Sequence, residues 1–140
     1  MELDDALTYV RQRRQGVVAS LKSDGRPQLS NIVYGVDEDG TIRISVAASR
    51  AKTKNFRRDP RASLHVTDDD FDTYCVIEGE AELTPATTEP GDATSDALVA
   101  YYRTLSGEHP DWDAFRRAMV DEGRLLLLIR PTRAYGMLSR

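Results

Sequence analysis

The chain has 140 residues, 40% apolar and 30% charged, and a formal net charge of −4 at pH 7. That length suits one domain with its own core, and the composition excludes a disordered chain. With one cysteine, Cys75, and two histidines, His65 and His109, neither a disulfide within the chain nor a zinc-ligand spacing is expected.

Leu3, Ala6, Leu7 and Val10 recur at helical spacing and predict a short amphipathic helix over 3–14, ended by Gly16. The opening MELDDALTYVRQRR starts with acids and has no continuous apolar run. The longest aliphatic run, Leu125 to Ile129, is too short for a bilayer, so the expectation is a cytoplasmic protein with neither signal peptide nor membrane span. From Gly16 onward, β-branched runs separated by the turn sequences SDGRP and DEDG predict three antiparallel strands, at about 16–22, 28–36 and 41–47.

After a basic segment, ASLHV reads as a strand and DDDFD as a charged loop. In TYCVIEGEAELT, Cys75, Ile77, Gly79, Ala81 and Leu83 alternate with Glu78, Glu80 and Glu82, which gives a strand with one buried face. Two helical patterns follow the loop TPATTEPGDATS. Leu98, Tyr101, Tyr102 and Leu105 make one stripe and Trp112, Phe115 and Met119 the other, both read as core or subunit-interface packing. GRLLLLIRPTRAYGML closes the chain as two strands, or as one bent strand interrupted at Pro131, because proline cannot donate to a ladder. Six or seven strands joined by tight turns favour a closed or nearly closed antiparallel barrel.

The segment from Arg50 to Arg61 holds six of the 19 basic residues and one acid, so the remainder of the chain carries −9. Ser49 is placed to cap a helix and Pro60 to end it. At about 100° per residue, Arg50, Lys54, Arg57 and Arg58 share one face, whereas Lys52 falls beside Phe56 with Asn55 on its flank. Phe56 is the residue expected to point inward. A lysine on that side needs an anionic partner, and a helix N-terminus favours a phosphate. Charge alone leaves a solvated face equally open. Nucleic acid fits less well, because the acidic remainder repels a long polyanion and few aromatics interleave with the bases.

No P-loop, dinucleotide fingerprint or G-x-S-x-G nucleophile pattern is present. His65 alternates with Leu64 and Val66 as a structural or surface residue, His109 reads as a capping or loop residue, and Cys75 as an inert core thiol.

The stretches GRPQLSNIVY (25–34), SRAKTKNFRRDPRASLHV (49–66), EGEAELTP (78–85) and SGEHPDWD (106–113), with their spacing, resemble the flavin-binding split β-barrel superfamily typified by pyridoxamine 5'-phosphate oxidase. Within it they resemble the actinobacterial branch that uses the deazaflavin coenzyme F420. The resemblance implies a mainly β (α+β) fold, a six-stranded antiparallel split β-barrel with short flanking helices, and a homodimer with cofactor clefts between subunits. It implies that Arg50, Lys52 and Asn55 hold the cofactor phosphate and that Gln28, Ser30 and Asn31 line the ring system. Ser45 and Val46 would border the ring through their backbone, and the loop before Tyr74 would reach over from the other subunit. Asp72 stands where the branch has an aromatic residue, with Phe71 beside it. The implied activity is hydride transfer between the reduced deazaflavin and a small electron-poor substrate such as an enone or quinone. Its alternatives are an FMN-dependent enzyme of the same fold and a non-catalytic F420- or FMN-binding or storage protein.

Overall fold

The computed structural model describes residues 1–139 of the chain. It begins with helix α1 (Leu3–Arg11) and continues through β1 (Gln15–Leu21), β2 (Pro27–Val33), β3 (Gly35–Val36), β4 (Ile42–Ala47) and α2 (Ala51–Arg58). Strands β5 (Arg61–Thr67) and β6 (Tyr74–Leu83), helices α3 (Ala93–Ser106) and α4 (Trp112–Asp121), and the long β7 (Arg124–Met137) follow. All strand pairs are antiparallel, in the order β2-β1-β5-β6-β7-β4-β3.

The outermost members of that sheet, β2 and β3, are consecutive in sequence and separated only by Tyr34, so the sheet must curl until its two edges approach. Tyr34 lies at this seam, 1% exposed, and its hydroxyl donates to the Val10 carbonyl at 2.7 Å. Burial drives its pKa far above the ordinary phenol value, which keeps it a neutral donor. The result is the split half-barrel expected from the sequence: six strands of ordinary length plus the two-residue β3.

Period-two alternation fills the inside. Val18, Ile44, Leu64, Ile77 and Leu127 are fully buried, each on a different strand of the curled sheet. Helix α1 adds Ala6 and Val10, and α2 adds Phe56. Burying the Phe56 side chain contributes about 1.5–3 kcal/mol and docks α2 on the barrel, as its wheel position predicted.

Three local expectations are corrected. The first helix stops at Arg11, because the Arg14 carbonyl is taken by Tyr34 N–H as the chain enters the sheet. Gly16 does not end a helix. It lies inside β1, where a Cβ would come within 2.7 Å of the His65 carbonyl, so it is the close approach of β5 that requires glycine. Ser49 does not cap α2: the N-cap is Arg50, with no side-chain cap, and Thr53 Oγ instead donates to the Ala47 carbonyl at 2.7 Å. Of the two forms left open for the closing segment, the chain takes the second: β7 is one strand with an irregularity at Pro131. Its register against β6 shifts between Glu78 and Gly79, leaving Thr132 as the extra residue next to Pro131, a bulge that accommodates the missing proline N–H.

Among the described residues, no helix is long and apolar enough to cross a membrane.

Candidate functional site

The barrel is split because β3 is so short. It pairs with β4 only at Ile42 and Arg43, so from Ile44 onward that edge of β4 is open. The edge of β2 that does not face β1 is open as well. The two edges diverge around a cleft of about 540 Å³. Gln28, Ser30 and Asn31 line one side of it and Ser45 and Ala47 the other, while Arg50 and Lys52 close the end where β4 runs into α2. Unpaired strand edges offer backbone donors and acceptors to a planar polar ligand.

No carboxylate approaches within ion-pair distance of Arg50 or Lys52 among the described residues. Partial burial lowers the pKa of Lys52, and repulsion from Arg50 and Arg124 lowers it further.

The cleft brings together six of the nine residues predicted from the sequence: Gln28, Ser30, Asn31, Ser45, Arg50 and Lys52. Two of the other three lie elsewhere, whereas Val46 sits in β4 between the cleft residues Ser45 and Ala47, where the contact expected of it is through its backbone. The Val46 side chain is buried in the core, and the residue pairs with Leu125. Asn55 is 7% exposed, donating from Nδ2 to Ser20 Oγ at 3.1 Å and accepting from Arg58 at 2.9 Å through Oδ1. Tyr74 stands on the outer face of the sheet, its ring centroid 5.7 Å from that of His65.

Two polar side chains of the cleft escaped the sequence reading. Tyr101, from α3, reaches into the split: its hydroxyl donates to the Val33 carbonyl of β2 at 2.9 Å, in the cleft that Ser45 of β4 also lines. Burial raises its pKa, so it remains a neutral hydroxyl. The signal was present in the stripe. Adjacent helix positions diverge by about 100°, so Tyr101 and Tyr102 cannot share one neighbour. Tyr102 packs instead against His109, Trp112 and Phe115, with centroids 5.2, 5.7 and 5.1 Å away, joining α3 to α4. Arg124 enters from the start of β7, 74 positions after Arg50, and only strand pairing places it there.

A second hollow of about 500 Å³ lies on the outer face of β1, β2 and β5 and includes His65, Thr67 and Asp68. Asn31 and Val33 border both hollows. Around it, Leu29, Val33, Tyr74, Tyr135 and Met137 are exposed, and Phe71 is presented on the loop before β6 at φ 65°. Asp68 is tied to Arg13 and Thr73. The outer hollow has no counterpart to the unpaired cations of the cleft, so the cleft is the better anion site.

Among the described residues there is no group of three His, Cys, Asp or Glu side chains able to hold a metal ion. Cys75 is buried and its thiol is pushed up to about 11, which makes it unreactive at neutral pH.

Solved structures share this architecture. A conserved hypothetical protein from Mycobacterium tuberculosis is 26% identical, with a TM-score of 0.74 over 98% of this chain and 84% of that chain. An F420 reductase is 22% identical, with a TM-score of 0.68 over 91% and 94% of the two chains. A heme storage protein from Vibrio cholerae is 15% identical, with a TM-score of 0.69 over 98% and 96%. The last two likenesses concern the fold. The sequence model that matches is described as pyridoxamine 5'-phosphate oxidase and spans residues 3–138, nearly the whole chain, so the protein belongs to the pyridoxamine 5'-phosphate oxidase family.

Proposed function

We propose that the cleft binds coenzyme F420 and that the protein is an F420-dependent oxidoreductase acting on a small electron-poor substrate of the enone or quinone kind. The observation that carries this reading is one cleft in which Arg50 and Lys52, without counter-ions, adjoin two open strand edges. The donor set fits the group: cations and the start of α2 for a phosphate, and backbone edges with Ser30, Ser45 and Gln28 for a polar ring. When bound, a deazaflavin supplies two-electron hydride chemistry. The chain's part is to clamp the phosphate with Arg50 and Lys52, to orient the ring against β2 and β4, and to narrow the split with Tyr101. FMN is the second reading, favoured by the family match.

The exposed apolar face of β2, β6 and β7 supports a homodimer in which a second copy covers that face and its Phe71 loop approaches the cleft.

The test is a fluorescence titration with coenzyme F420 and, separately, with FMN. F420 is expected to bind well below about 100 μM, and failure of both cofactors to bind at that level removes the reading. Lys52→Ala is expected to weaken binding about tenfold or more, with Lys54→Ala close to wild type. Reduction of a quinone or enone by reduced F420 supports the enzyme. Binding without any turnover would make the protein a carrier instead.

A further inference from the structure

Arg124 is held firmly in a place the basic segment does not explain. Its backbone pairs with Ala47 at the end of β4, and its carbonyl accepts from Thr87 N–H at 2.9 Å. The preceding Gly123, at φ 61°, presents its carbonyl to Ala48 N–H at 2.9 Å. These bonds fix the side chain's origin where β4 turns into α2, on the wall shared with Arg50 and Lys52.

The guanidinium is only half used. Nε and Nη2 both donate to one oxygen of Glu122, at 3.2 and 3.1 Å, and Nη1 has no hydrogen-bond partner among the described residues. Glu122 is two residues away and close to half exposed, so it returns to water at little cost. Assembling three cations on one wall is unfavourable unless an anion joins them, and the pKa of Lys52, lowered mainly by burial, is lowered further by Arg50 and Arg124.

We propose that Arg124 is the third binding residue of the anion subsite and that Glu122 is its internal competitor, so that the wall takes a phosphate ester, whose oxygens can serve three cations. The inference rests on the cofactor reading of the cleft. A ligand phosphate displaces the Glu122 carboxylate from Arg124, and binding energy is diminished by the pair that must open.

Opposite signs are therefore expected from the two partners. In titrations with coenzyme F420 and FMN, Arg124→Gln weakens binding about tenfold or more, Arg124→Lys recovers part of the loss, and Glu122→Gln tightens binding about threefold. The inference is overturned if Arg124→Gln binds like wild type, or if Arg124→Gln and Glu122→Gln weaken binding alike, as a purely structural pair would. The unliganded melting temperature of each variant checks its fold, and Arg124→Lys keeps the test alive if the Gln variant does not fold. Should wild type bind neither cofactor, the cofactor reading fails by itself. Inorganic phosphate at about 10–50 mM then decides the subsite through its stabilisation of the fold. A rise in melting temperature retained in Glu122→Gln and lost in Arg124→Gln supports it, and an equal rise in both, or none in wild type, overturns it.

Discussion

Asn55 was placed by its helical angle beside Lys52, and that angle holds, but what the flank meets is β1 rather than the cleft. Both ends of its amide are engaged, with Ser20 on the strand and Arg58 one turn along α2. In this position Asn55 joins α2, the helix that carries Lys52, to the barrel. Asn55→Ala is expected to lower unfolding stability by about 1–2 kcal/mol in urea titration, since Ser20 and Arg58 lose a buried partner. Its folded fraction should bind coenzyme F420 more nearly like wild type than Lys52→Ala does. An Asn55→Ala protein of full stability whose binding falls as far as that of Lys52→Ala would put the amide on the ligand instead.

At the scale of elements, α3 positions Tyr101 in the split, and Asp92 starts α3. Its carboxylate accepts from the N–H groups of Ser95, Thr88 and Glu89 and from Thr87 Oγ, at 2.8, 2.9, 3.2 and 2.8 Å. The Ser95 and Thr88 N–H groups foremost hold its pKa at about 2. A carboxyl lowered on folding stabilises the native state above its unfolded value near ~3.9, and that contribution disappears as pH falls through about 2. Asp92→Asn should therefore melt at a lower temperature than wild type at pH 7, and the gap should narrow between about pH 4 and pH 2 in thermal scans. An unchanged melting temperature at pH 7 would show that the cap does not stabilise α3. Neither this N-cap nor the Thr53 anchor of α2 was read from the sequence, because Thr88, Ser95 and Asp92 crowd the start of α3 and Ser49 competes with Thr53 at the start of α2. Which of them caps depends on where the chain arrives from the sheet.

For the whole molecule, the decisive feature is the contrast between the two faces of the curled sheet. The inner face is closed by α1 and α2, whereas the outer one leaves Leu29 64% and Tyr135 51% exposed on opposite flanks. A second copy of the chain covering this face is the proposed homodimer. Leu29→Glu combined with Tyr135→Glu should raise the dimer dissociation constant about a hundredfold or more, because each buried interface would carry unpaired charges. Light scattering measures this, with circular dichroism to confirm an intact fold. Wild type that scatters as a monomer at tens of micromolar would remove the dimer.

By itself the sequence determined the elements, apart from the break at Tyr34 that divides the strand expected at 28–36 into β2 and β3, and with them the buried face of β6, the inward position of Phe56, and the cations beside the start of α2. These follow from period-two and 3.6-residue patterns and from local charge, which act over a few neighbouring residues. It also carried the family likeness, since the motif stretches are contiguous. Only the tertiary structure decided that Tyr101 bonds β2 inside the cleft, that Arg124 joins Arg50 and Lys52, and that Asn55 turns to Ser20. Those meetings depend on strand order and on how far the barrel closes, and a helical wheel gives the direction of a side chain without naming the neighbour it meets.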